Sequence, residues 1–143
     1  MIITQPQTPE EFEKYYDLRW KILRAPWDQP KGSEKDEKEN EAIHVMACEK
    51  SGIPVGVGRT HFNSPEEAQI RYMAVEDDQR GNGIGAIVLA ELERKAQEKG
   101  AKYIILNARD NAVFFYEKYG YKIIKQSYTL FNSIPHFEMK KEL

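Results

Sequence analysis

Gln79-Arg80-Gly81-Asn82-Gly83-Ile84-Gly85-Ala86 lies between an apolar alternating run, Ile70 to Val75, and a run from Ile84 to Lys99 with apolar residues at helical spacing. A strand, a glycine-rich turn and a helix start, in that order, make a place for phosphate. The first N–H groups of a helix have no intrahelical acceptor, and the macrodipole adds partial positive charge there. Glycine lets the backbone close on an anion because no Cβ intervenes.

Working outward, Ile84, Val88, Leu92 and Ala96 form one stripe, with Ile87 beside it, and Gly100 stops the helix. Tyr103 to Leu106 is a short continuously apolar strand of the type buried on both faces. Asp110 or Asn111 is a candidate cap for a helix in which Ala112, Phe115, Tyr116 and Tyr119 share a face up to Gly120. Tyr121 to Leu130 and about Phe137 to Lys141 read as closing strands, with Pro135 in the turn between them.

On the N-terminal side, Ile43 to Glu49 and Ile53 to Phe62 form a hairpin around Ser51-Gly52. Gly56 and Gly58 inside the second strand fit a bend or a close backbone approach. Thr8-Pro9-Glu10-Glu11 reads as a capping box that opens a helix running to about Arg24, after a short strand at Ile2-Ile3. Between Ala25 and Glu41 lies a long charged loop, read either as a solvated surface segment or as a lid. The order β-α-β-β-β-α-β-α-β-β predicts an α/β fold, a mixed central sheet with helices on both faces.

At 143 residues the chain is expected to be a single domain, 1–143. A formal charge of −2 offers no basic footprint for nucleic acid and no polybasic membrane signal. The one cysteine, Cys48, excludes an internal disulfide and suits a reducing compartment. No signal-peptide pattern is present, and no apolar run approaches the roughly 18 residues of a membrane span. The expectation is a cytoplasmic protein. The three histidines lack metal-site spacing, so no metal is expected.

Arg80-Gly81-Asn82-Gly83-Ile84-Gly85, followed by Asn111 and then Phe115-Tyr116-Glu117-Lys118-Tyr119-Gly120-Tyr121, resembles the two signatures of the GCN5-related N-acetyltransferase (GNAT) family. The likeness covers about Ala42 to Leu130. It implies the acyl-CoA N-acyltransferase fold, with acetyl-CoA as co-substrate bound at a splay between the strands ending at Val75 and Leu106. By the same resemblance the pyrophosphate lies on the amides of Arg80, Gly81, Asn82, Gly83, Ile84, Gly85 and Ala86. The strand segment Met73-Ala74-Val75 pairs with the pantetheine arm, and the Val75 amide region polarises the thioester oxygen. Asn111 binds the pantetheine amides. Tyr116 is the catalytic residue, donating a hydrogen to the departing sulfur. Paired edge strands near the C-terminus point to a homodimer.

The implied activity is transfer of an acetyl group to a primary amine of a small-molecule or peptide acceptor, by direct attack on the bound thioester. A phenol (pKa about 10) is a weaker acid than an alkyl thiol (about 8.5), so full proton transfer from Tyr116 is uphill by roughly 2 kcal/mol and hydrogen bonding to sulfur is the expected role. The general base is open. Gln69 to Val75 holds no carboxylate, Glu66 and Glu67 lie just before it, and His61, His136 or a water chain remain candidates. Arg19, Arg24 and Trp27 are candidates for shaping the acceptor pocket. Arg71 is read as an ion-pair partner and Cys48 as core. Six acidic and three lysine side chains from Asp28 to Glu41 favour a cationic acceptor if that loop lines the pocket. A dinucleotide site is disfavoured although Gly81-x-Gly83-x-x-Ala86 fits its glycine pattern: the glycines come mid-chain after a hairpin, and too little chain follows. The alternative on the same fold is a non-catalytic acyl-CoA sensor or interaction module.

Overall fold

The computed structural model describes all 143 residues. Its strands are β1 (Ile2–Thr4), β2 (Ile43–Cys48), β3 (Pro54–Phe62), β4 (Glu67–Val75), β5 (Tyr103–Arg109), β6 (Lys122–Leu130) and β7 (Ile134–Glu142). Its helices are α1 (Pro9–Leu23), α2 (Ile84–Glu98) and α3 (Val113–Lys118). The strands form one sheet in the order β1-β2-β3-β4-β5-β7-β6. Only β4 and β5 run parallel. That parallel step is made by the crossover through α2, and the glycine turn sits at its start.

The sheet separates two apolar layers. Val45, Ala47 and Val55 pack under α2 with Val88, Leu89 and Leu92. Met46, Cys48 and Val57 pack under α1 with Tyr15, Leu18 and Ile22. The capping box at Thr8 is formed, with Glu11 N–H donating to Thr8 Oγ1 at 3.1 Å and Thr8 N–H donating to Glu11 Oε1 at 3.0 Å. Helix α2 lies close on β3 because Gly56 has no side chain. A Cβ there would stand 2.5 Å from Ile84 Cγ2, and a β-branched residue has little rotamer freedom to yield. Gly56→Ala is therefore expected to lower stability by about 1–3 kcal/mol through overpacking. Urea denaturation checks this; an unchanged midpoint would mean that α2 adjusts freely over β3.

Strand β4 contains the feature that shapes the site. Its even-numbered residues are buried along its whole length, as simple alternation predicts. Yet Ala68 and Ile70 face the α2 layer while Tyr72 and Ala74 face the α1 layer. The exchange of faces occurs at Tyr72, which has a left-handed φ of 60°. In the ladder, Val57 pairs with Ala74 but Arg59 pairs with Arg71, so Gly58 stands against both Tyr72 and Met73. This is a β-bulge, which bends its strand and re-aims the residues past it. Beyond it β4 leaves β5, and their pairing ends at Ile70–Leu106.

Several expectations need correction. The segment from Ala25 to Glu41 is not merely solvated: Asp36 and Glu39 are drawn onto Arg59 and Arg19, both fully buried. On α2, Leu89 is buried while Ile87 is 43% exposed. Strand β5 runs on to Arg109 and alternates buried with half-buried positions, because only part of one face is covered. Helix α3 has no side-chain cap; a 3-10 turn over Asp110–Ala112 leads into it. Pro135 lies in β7 opposite Thr129, and the turn is made by Phe131 and Asn132, both left-handed. No helix is long and apolar enough to cross a membrane.

Candidate active site

After β4 the chain makes a 3-10 turn, Asp77–Gln79, and reaches α2 through Gly81 (φ 86°) and Gly83 (φ 80°). These left-handed conformations disfavour other residues. The turn uses up two of its amides: Arg80 N–H points to Asp77 O at 3.4 Å and Asn82 N–H to Gln79 O at 3.3 Å. The amides of Gly81, Gly83, Ile84, Gly85 and Ala86 donate to no backbone acceptor. The set of free donors is thus narrower than the sequence suggests, with Arg80 and Asn82 removed.

The bulge in β4 opens a wedge-shaped cavity of about 700 Å³ between β4 and β5. Glu76 N–H bonds Val55 O on the β3 side at 2.8 Å. Peptide groups alternate edges along a strand, so the N–H and C=O of Val75, and of Met73 two residues earlier, point to the edge that β5 has left. One wall of the wedge is therefore a free strand edge, Met73-Ala74-Val75, which runs directly into the turn of free amides. Of the residues expected at the co-substrate, Asn82 alone does not line this cavity.

Tyr116 is delivered by α3. Its ring packs edge-on against Phe115 and Tyr121, and its hydroxyl has no hydrogen-bond partner in the protein, although it lines the cavity. Burial pushes the phenol pKa well above its ordinary value, with Arg109 pulling weakly the other way. His136, on β7, lines the same cavity and stacks on Tyr128 at 4.5 Å. Its Nδ1 lies 2.9 Å from Ile134 O. A carbonyl can only accept, so Nδ1 carries the hydrogen and Nε2 keeps a free lone pair. Burial depresses this imidazole's pKa; Arg109 and Arg24 depress it further, against the Ile134 carbonyl and Asp110. The lowered pKa favours the neutral imidazole.

Comparison with known proteins fixes the lineage. The acetyltransferase (GNAT) domain profile matches residues 26–143. The chain belongs to the GNAT acetyltransferase family. It is thereby placed among the N-acetyltransferases, and it is 32% identical over 133 residues to the uncharacterized N-acetyltransferase YjcF of Bacillus subtilis (strain 168), covering 93% of this chain and 94% of that one. The fold is similar to that of an aminoglycoside 6'-N-acetyltransferase complexed with coenzyme A (TM-score 0.81, 21% identity, 99% of this chain and 97% of that). It is also similar to a GNAT family acetyltransferase from Elizabethkingia anophelis with acetyl-CoA bound (TM-score 0.76, 17% identity, 99% and 97%).

Within this GNAT domain the other candidate residues separate clearly. His61 lies outside the cavity: Arg59 Nη2 donates to its Nδ1 at 3.0 Å, and its Nε2 is held by Asn63 Oδ1 at 3.1 Å. Glu67 accepts from Tyr103 and Asn63 outside the wedge. Arg19 is structural, and Arg71 pairs with Asp36 at 2.8 Å while bordering the cavity. Cys48 is buried in the core beneath α1. Trp27 is half-buried, stacked on Phe131 and covered by Arg109. Arg109 and Tyr128 were not singled out from sequence. An arginine at the end of an apolar strand run is the one signal that marks Arg109.

Proposed function

We propose that this GNAT domain binds acetyl-CoA along the free edge of β4 and transfers its acetyl group to a primary amine of a small-molecule or peptide acceptor. The observation that carries this reading is the continuity of three features: five unpaired amides, a strand edge without a partner, and an unpaired buried hydroxyl beyond it. Charge-assisted hydrogen bonds contribute about 1.5–3 kcal/mol each, so the turn can hold a diphosphate without a lysine. Asn111, at the start of the α3 approach, lines the wedge where the amides of the pantetheine arm would lie.

In the reaction the amine nitrogen attacks the thioester carbon and the C–S bond breaks. The Val75 amide offers a preorganised donor to the oxygen that gains charge. Nε2 of His136 takes the proton released from nitrogen as the C–N bond forms. The Tyr116 hydroxyl hydrogen-bonds the thiolate that leaves. The edge strand β6 presents Ile123 and Ile124, 44% and 53% exposed, which supports a homodimer paired along it.

Two measurements test this. Calorimetry should show acetyl-CoA binding, and release of free CoA thiol should follow addition of amines. Binding without turnover on any amine would favour an acyl-CoA sensor, and no binding would remove both readings. The base is tested by pH. Because the imidazole pKa is lowered, the acidic limb of kcat/KM should lie below pH 6.5, where protonation removes the acceptor on Nε2. His136→Ala should abolish that limb; an unchanged limb clears His136 and leaves a water chain.

A further inference from the structure

Every ionised side chain on the cavity wall is cationic: Arg24, Arg71, Arg80, Arg109 and Lys118 line it, and no aspartate or glutamate does. Two of the five already have counterions, Arg71 with Asp36 and Arg80 with Asp77. Arg24 and Arg109 have none. They nevertheless converge, since Arg24 Nη1 and Arg109 Nη2 both donate to Leu23 O, at 3.0 and 3.3 Å. Arg24 is 8% exposed. Its Nε is spent on Ser33 O at 3.1 Å, which leaves its Nη2 without a partner, as are Nε and Nη1 of Arg109.

A buried and a half-buried guanidinium side by side without a carboxylate are unfavourable unless an anion joins them. The same chain shows what it does when such charge is purely architectural: Arg19 and Arg59, fully buried, are each given carboxylates from the 25–41 loop. Of the six loop acids that favoured a cationic acceptor, Asp36 and Glu39 are consumed there, and none of the six lines the cavity. Around the unpaired couple stand flat rings, with Trp27 4.6 Å from the Arg109 guanidinium and Phe131 5.6 Å from that of Arg24. Tyr128 and His136 come from the β6/β7 hairpin, so this end of the wedge adjoins the proposed base.

We infer that the acceptor is an amine that also carries an anionic group, a carboxylate or a phosphate, which Arg24 and Arg109 grip while its nitrogen faces His136. This rests on the transferase reading above and adds the class of acceptor. Planar guanidinium forks match either anion, and aromatic walls limit water around them.

The test compares matched amines: ethanolamine with phosphoethanolamine, and β-alaninamide with β-alanine, with spermidine as a polycation. The phosphorylated or carboxylated member should show at least about tenfold higher kcat/KM, and the two pairs together tell which anion is preferred. Arg109→Gln should erase that preference by raising the acceptor KM, with calorimetric affinity for acetyl-CoA unchanged; Arg24→Lys serves as a second variant that keeps the charge near Ser33. Turnover with equal or reversed preference would overturn the inference and leave the transferase standing. Weaker acetyl-CoA binding in Arg109→Gln would also overturn it, by assigning the pair to the co-substrate's phosphates. Calorimetry of the same amines on the CoA-saturated protein reads the anion preference without chemistry, so selective anionic binding without turnover would uphold this site and reject the transferase. No selectivity in either assay rejects the site.

Discussion

Tyr116→Phe is expected to lower kcat by about 10²-fold, while the KM for acetyl-CoA stays within a few-fold. The side chain is buried against Phe115 and Tyr121, so phenylalanine fills the same volume and only the hydroxyl is lost. General acids contribute about 10²–10⁴-fold, and the low end of that range is expected here. Burial raises the phenol pKa further above that of a thiol, which makes complete transfer of its proton to sulfur less favourable than for a free tyrosine. A hydrogen bond that strengthens as sulfur gains charge remains, and one bond to a charged group accounts for about 1.5–3 kcal/mol. Steady-state kinetics separate the cases. A loss of about 10⁴-fold would indicate true proton donation despite the raised pKa, and an undiminished kcat would remove Tyr116 from the mechanism.

The strand, turn and helix around Gly81 and Gly83 were legible because local chemistry determines them: left-handed glycines, an amphipathic stripe and an apolar run have few other uses. The capping box at Thr8 and the Ser51-Gly52 hairpin were legible for the same reason. The splay of β4 from β5 was expected only by likeness to a family. Its physical cause was hidden, because the bulge is carried by Arg71-Tyr72-Met73, with no glycine to mark the left-handed residue, and burial alternates unbroken across it. Nor did the charged run from Lys31 to Glu41 reveal its partners. A signal did exist: Arg59 and Arg71 inside strands and Arg19 on the apolar stripe of α1 each required a counter-charge, and this loop holds an unusual density of carboxylates. Arg24 and Arg109, 85 positions apart, meet only because α1 ends above the C-terminal end of β5, a relation that no sequence period encodes.

Glu39→Gln is expected to cost about 3–5 kcal/mol of stability, the usual range for removing one partner of a buried ion pair. Glu39 bridges two arginines of zero exposure: Oε1 lies 3.0 Å from Arg19 Nη1, and Oε2 lies 2.7 Å from Arg59 Nη1. A glutamine amide would turn an NH₂ toward one guanidinium, donor against donor, and would leave Arg19 with no carboxylate. Urea denaturation should show the loss, while Glu41→Gln, which breaks the exposed Lys38–Glu41 pair, should stay within about 0.5 kcal/mol. Equal small effects would mean that water already solvates the pair. The companion acid gives the pH dependence. Burial alone would raise the Asp36 pKa, but hydrogen bonds from Arg59 and the Lys38 amide, with the charges of Arg59 and Arg71, outweigh it and hold the carboxyl well below the usual range. A depressed folded pKa contributes stability above the unfolded value near 3.9 and loses it as pH falls through the folded value. Acid unfolding should therefore steepen below about pH 4, and Asp36→Asn should flatten that slope. Because this network anchors the loop whose Ser33 carbonyl holds Arg24, loosening it should also disorder the acceptor wall, so that the acceptor KM rises before the fold is lost.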